Sequence, residues 1–108
     1  MNRVRKYLDV SMAHITYGDS QLLEVASEHN GSRSMPNKQA FKLVVYKYEY
    51  GFFIPLTSIV LKNPSTLRVF GYSEAFIELI EYARDQECKL ICLDRDAEPT
   101  DELEKFEW

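Results

Sequence analysis

The chain has 108 residues, 45% of them hydrophobic and 28% charged, with a formal net charge of −4 at pH 7. Those proportions belong to an ordinary globular domain, and a chain of this length buries roughly two thirds of its unfolded surface. A single core therefore needs neither metal nor disulfides, and no apolar run approaches the roughly 20 residues that span a bilayer.

One α/β domain over residues 1–108 is expected, closing in an acidic tail from 97 to 108. The start, MNRVRKYLDV, is basic but has no long apolar stretch and no small-residue cleavage site, so no signal peptide is expected. Cys88 and Cys92 are the only cysteines. Their use fits a reduced compartment, the cytoplasm. A zinc site wants more ligands nearby, and His14 and His29 lie far off in sequence; neither metal nor cofactor is expected. The net charge hides an asymmetry. Residues 1–72 carry nine Lys/Arg against five Asp/Glu, whereas residues 73–108 carry four against twelve. Such a split bears on partners rather than on fold.

In chain order, Tyr7, Leu8 and Val10 predict a first strand over Lys6–Met12. Leu22, Leu23, Val25 and Ala26 recur at helical spacing and predict a helix from Asp19 to His29, with Thr16 or Asp19 capping its first turn. Asn30–Gly31 is a helix stop, and Ser32–Gln39, polar and proline-containing, reads as a loop. FKLVVYKYEYGFFIPL, ending at Leu56, carries the strongest strand signal. It is either one bent strand or a hairpin turning at Glu49–Gly51, with Gly51 marking a bend or a close backbone approach and Pro55 an end or edge. Thr57–Tyr72 holds a turn at Asn63–Pro64–Ser65, followed by a short strand or loop at Leu67–Phe70. SEAFIELIEYARDQE is the clearest helix: Ser73 is its N-cap, Phe76, Leu79, Ile80 and Ala83 its buried stripe, and Glu74, Glu78, Glu81 and Asp85 its outer face. KLICL, Lys89–Leu93, is a last apolar strand.

This order predicts an α/β (or α+β) layer: a small mixed sheet of three to five strands with two packed helices. If the first and last strands are parallel neighbours, Ser11 and His14 come near Asp94, Arg95 and Asp96, at the edge where open α/β sheets bind ligands.

Three kinds of chemistry compete for these residues. Asp94 and Asp96 have the spacing of the Asp-x-Asp-x-Thr of haloacid-dehalogenase-like phosphotransferases. Glu98 stands where the threonine belongs, and only 12 residues follow Asp96; turn hydrogen bonds after a strand account for the pair instead. Ser11 and His14 lack the partners and the glycine-rich elbow of a hydrolase. Lys38, Lys42 and Lys47 beside Tyr46, Tyr48, Tyr50 and Phe52 pair basic with stacking residues, as single-strand binders do, but the acidic overall charge opposes direct nucleic-acid binding.

Four stretches also occur in an order that resembles a family of small bacterial domains of unknown function: LDVSMAHIT, YEYGFFIPL, IELIEYARDQECKLICLDRDAE and the terminal DELEKFEW. That family shows a Leu-Asp-x-Ser-Thr-Ala-His-Leu-Thr start, a Tyr-Gly-Trp/Tyr-Phe-Val strand, an Ala-Arg-x-x-Gly-Cys-Asp helix end, an apolar strand into Asp-x-Asp, and an aromatic-acid-Trp finish. This chain departs from it at Met12, at Phe52, and at Gln86–Glu87, where a glycine-bearing turn is usual. The resemblance implies no established activity. It implies a setting on plasmids, phages and other mobile elements, near antirestriction-type genes.

Two functions are therefore expected to compete. In the first, the chain is no enzyme but a counter-defence inhibitor of anti-CRISPR or antirestriction type. An acidic face (Glu74, Glu78, Glu81, Asp85, Asp101, Glu102, Glu104, Glu107), anchored by Tyr82, Phe106 and Trp108, docks on the basic surface of a host protein such as a CRISPR effector or restriction enzyme. In the second, a small enzyme or ligand-binding domain uses Ser11, His14, Asp94 and Asp96 at the sheet edge.

Overall fold

The computed structural model describes residues 6–28 and 43–107, without the side chains of residues 58 and 59. His29, the Asn30–Gly31 stop, the Ser32–Gln39 loop and Trp108 lie outside the described residues. Four strands form one mixed sheet: β1 (Lys6–Ser11), β2 (Tyr46–Tyr48), β3 (Gly51–Pro55) and β4 (Cys88–Asp94), in the order β1-β4-β3-β2. β1 and β4 are parallel, with Ser11 opposite Asp94; β3 runs antiparallel to both β4 and β2.

Strand alternation then sorts the side chains. Val10, Phe52, Ile54, Ile91 and Leu93 point to one face and are at most 5% exposed. They join one core cluster with Leu23 and the buried stripe of the last helix. The opposite face carries Tyr7, Asp9 and Tyr46, all exposed, with Phe53, Pro55 and Leu90 half-buried between them. β2 and β3 form a hairpin rather than one bent strand: Tyr48 pairs with Gly51 around Glu49 and Tyr50. Gly51 is there because nothing larger fits. A Cβ on it would stand 1.8 Å from the Leu93 carbonyl oxygen, so the β3–β4 crossing requires a glycine.

Two helices of equal length pack on the covered face, α1 (Tyr17–Glu28) and, after a five-residue helix α2 (Ser58–Lys62), α3 (Glu74–Asp85). The start of α1 is a reciprocal cap. The Thr16 hydroxyl accepts from the Asp19 amide and the Asp19 carboxylate accepts from the Thr16 amide, each at 3.0 Å, which satisfies two otherwise orphaned groups. Asp19 does more than cap its own helix. Only 1% exposed, it also accepts from the Ser73 amide at 2.8 Å and from the Ser73 hydroxyl. Ser73 in turn accepts from the Phe76 amide and caps α3. One buried carboxylate thus ties the N-termini of both long helices together. Tyr72 stacks on Phe76 at 4.6 Å beside this knot, and burial, then the Asp19 charge, pushes its hydroxyl far above the ordinary phenol range.

Residues 57–72 depart from the sequence reading. Leu67–Phe70 is neither strand nor loop but part of a 3-10 helix, Pro64–Phe70. A strand would put Leu67 and Val69 on one face, yet Leu67 is 1% exposed and Val69 82%. Pro64 and Leu67 are the buried pair, and a spacing of three is what a 3-10 turn aligns. Proline supplies the first-turn backbone angle, and Gly71, at φ +99°, ends the turn with its amide on the Arg68 carbonyl.

α3 ends less comfortably. Glu87 is the only non-glycine with positive φ among the described residues, at +63°, and its amide bonds the Arg84 carbonyl at 2.9 Å. This is the left-handed position that glycine takes without a Cβ clash, and the place where the resembled family carries glycine. Glu87→Gly is expected to stabilise the domain by about 0.5–1 kcal/mol through relief of that clash, read as a rise of several degrees in melting temperature by calorimetry. An unchanged or lower melting temperature would show the turn to be unstrained.

Candidate functional site

The parallel pairing of β1 with β4 brings the expected sheet-edge residues to one end of the sheet, with Ser11, Asp94, Gly51 and Tyr48 in one row across it. Each polar group there is already engaged. The Ser11 side chain, in a buried residue, accepts from the Ala13 amide at 3.0 Å and caps a 3-10 turn, Met12–His14. Asp94 accepts from the Asp96 amide at 2.8 Å, while Ala97 bonds back to the Asp94 carbonyl. The Asp-x-Asp pair is thus a turn after a strand, as its spacing allows.

His14 points elsewhere. It is 2% exposed, and both ring nitrogens hold the C-terminal tail. The Thr100 amide donates to Nε2 at 2.9 Å, which makes that nitrogen the unprotonated one; Nδ1 then donates to the Glu104 carbonyl at 2.8 Å. The Phe106 amide adds a bond to the Ala13 carbonyl at 2.8 Å. Neither imidazole nitrogen is left to take a proton from Ser11, so the geometry a hydrolase would need is not assembled. The histidine is a two-sided clamp on the tail.

That clamp decides the electrostatics of the outer surface. Tyr82 on α3 donates to the Glu102 carboxylate at 2.6 Å, and this bond, first among the causes, raises the Tyr82 hydroxyl above its ordinary range and keeps it a donor. Glu78 and Asp85 lie one turn to either side of Tyr82. The acids of the helix and of the tail therefore adjoin. Some are already paired: Glu74 with Arg68, Asp85 with Arg84 at 3.5 Å, and Asp101 with Lys105 at 2.6 Å. Those partners hold the Glu74 and Asp101 carboxyls below the usual range. Among the described residues, Glu78, Glu81, Glu104 and Glu107 have no such ion pair. Phe106 is half-buried.

Two further features lie outside the two sites expected from sequence, although the sequence already groups Lys47, Tyr48, Tyr50 and Phe52 as a basic and stacking set. On the open sheet face, the Tyr48 hydroxyl meets the Cys92 sulfur at 3.3 Å and its ring stacks on Phe53 at 4.4 Å. Burial pushes the Cys92 thiol up, and the Tyr48 hydroxyl is raised as well, burial first and the Cys92 contact second. Cys88 and Cys92 are both free and buried, at the first and fifth positions of one strand, a spacing of about 13 Å that no disulfide spans. At the hairpin end lies a groove of about 300 Å³ whose polar and charged lining is Glu24, Lys47, Tyr48, Glu49, Tyr50 and Arg95, with Met12, Gly51 and Phe52 between them. None of Ser11, His14, Asp94 or Asp96 lines it. Of the sheet-edge residues weighed from sequence, only Arg95 does, and its role depends on Tyr50, whose placement no spacing could reveal. Among the described residues no three His, Cys, Asp or Glu side chains stand close enough to hold a metal, and no helix is long and apolar enough to cross a membrane.

Fold and surface together define a small α+β domain with an acidic helix-and-tail face and a groove at its hairpin end. The chain belongs to a family of unknown function (DUF5983), whose C-terminal domain matches residues 7–108. No curated protein and no solved structure matches it.

Two measurements test the site as built. His14→Ala is expected to speed amide exchange across residues 100–106 while β1 and β4 stay protected, because only the tail loses its acceptor and donor; uniform protection would mean the tail is held by other contacts. The raised Cys92, Tyr48 and Tyr72 groups set an alkaline limb. The folded chain keeps these protons at a pH where the unfolded chain has lost them, so their contribution is full below the ordinary thiol value of 9.0 and falls as pH rises further. Urea midpoints are expected to be flat from pH 7 to about 9 and to drop above it, less steeply in Tyr72→Phe.

Proposed function

We propose that this domain is a non-enzymatic binding protein that docks its acidic face on a basic surface of a nucleic-acid-handling host protein. The observation that carries this reading is the Tyr82–Glu102 bond. With His14 holding the tail behind it, the bond joins the acids of α3 to those of the tail into one surface, with Glu78 and Glu81 unpaired among the described residues. A rigid array of like charge speeds and orients association with a basic partner. Tyr82 and the half-buried Phe106 supply the aromatic bulk on which such interfaces concentrate their energy; Trp108 belongs to the same proposal. The setting implied by the resembled family makes the domain a mobile-element protein acting in the bacterial cytoplasm, and the partner a CRISPR effector or restriction enzyme.

The test is capture from a bacterial lysate on tagged protein at low and high salt, followed by affinity measurement on the captured protein. Glu78→Lys with Glu81→Lys is expected to weaken binding at least about tenfold and to flatten its salt dependence, since two attractive charges become repulsive. Equal affinity for wild type and double variant would remove the acidic face from the interface.

A further inference from the structure

We infer that the groove at the hairpin end is a binding site for a mononucleotide, with the base against Tyr50 and the phosphate on Arg95. The groove shares no residue with the acidic face, so the two proposals stand or fall separately.

Four observations lead there. The first is place: the groove opens at the end of the sheet where β1 and β4, the parallel pair, finish, the edge at which open α/β sheets take ligands. The second is backbone anchoring. Gly51 leaves no room for a Cβ against the Leu93 carbonyl, and the Arg95 amide bonds the Tyr50 carbonyl at 2.9 Å, which ties both residues at their backbones. The third is an available cation. The Arg95 guanidinium lies 5.8 Å over the Tyr50 ring and has no carboxylate within ion-pair distance among the described residues. A guanidinium held against an aromatic face presents its outward N–H fork to phosphate oxygens. The fourth is the mixture of groups around it. Tyr50 is 40% exposed and meets Tyr48 edge to face at 6.1 Å, a stacking platform for a flat ring. Glu49 offers an acceptor to the exocyclic amine of a base, while Glu24, which also lines the groove, is neutralised by its ion pair with Lys47 and leaves Arg95 as the cation for the phosphate.

The volume of about 300 Å³ falls at the small end of ligand pockets, which suits one nucleotide. Charge selects between a free nucleotide and a strand. The chain carries −4 overall, and polyanion binding scales with the number of phosphates neutralised; here one arginine is unpaired. A single phosphate fits that supply and a strand does not.

The test is calorimetric and NMR titration of the full chain with adenosine and cytidine monophosphates, alongside inorganic phosphate, the free nucleosides and a short single-stranded oligonucleotide. Saturable submillimolar binding of a monophosphate is expected, with the Tyr50 and Arg95 amides among those that shift. Phosphate and nucleoside alone should each bind at least about tenfold more weakly, because each forfeits one half of the contact. Arg95→Gln and Tyr50→Leu, both at exposed positions and checked for unchanged melting, should each weaken binding at least about tenfold. The proposal is overturned by no saturation at several millimolar, by phosphate binding as well as nucleotide, by variants that bind like wild type, or by an oligonucleotide that binds where monophosphates do not.

Discussion

A single buried carboxylate holds the helical layer of this protein in register. Asp19 receives donors from Thr16 and from both the amide and the hydroxyl of Ser73. It stands where two helix N-termini converge, and among the described residues no cation pairs with it, so oriented backbone dipoles face the carboxylate. A charge taken out of water is costly unless every lone pair finds a donor; here the donors come from two helices far apart in sequence. Removing the carboxylate would leave several amide and hydroxyl donors unpaired, each such bond to a charged group contributing about 1.5–3 kcal/mol. The relative position of α1 and α3 follows from this knot, and the apolar faces of both helices meet the sheet because of it.

The rest of the molecule is arranged around that layer. The sheet is closed on one face and open on the other, and the tail returns across the end of the first strand to be gripped by His14. The same histidine that invites a catalytic reading is consumed by structure. Its two nitrogens distinguish a donor from an acceptor, so it fixes not just the presence of the tail but its direction. The acidic residues of the tail are thereby delivered to the side of α3, and a surface forms that neither segment has alone.

The two proposed surfaces differ in how they are built. The acidic face is a sum of exposed charges on a helix and an adjoining segment, tuned by pairing at its two ends. The groove is a local device: a hairpin turn, a glycine that lets two backbones touch, and an arginine laid on a tyrosine. The first suits a large partner of opposite charge, the second a small one with a ring and a phosphate. Because they share no residue, the two proposals place a protein partner and a small ligand on separate parts of the domain.

Much of the architecture was readable from residue order. Apolar spacing marked both long helices, alternation marked the strands, and Ser73, Thr16 and Asp19 announced their caps, because these signals depend only on neighbours within a turn. The sequence left the hairpin open against one bent strand and raised the parallel pairing of the first and last strands only as a condition; the fold decided both. Residues 57–72 were not readable from order, because Pro64 and Leu67 compete with an alternating pattern that only contact with the core breaks. The sequence by itself determined that the C-terminal third is acidic. Only the tertiary structure decided what His14, Ser11, Asp94 and Asp96 do, since a polar side chain takes its role from whichever donor or acceptor the fold brings to it. For His14 those partners lie 86 and 90 residues away, beyond the reach of any local pattern.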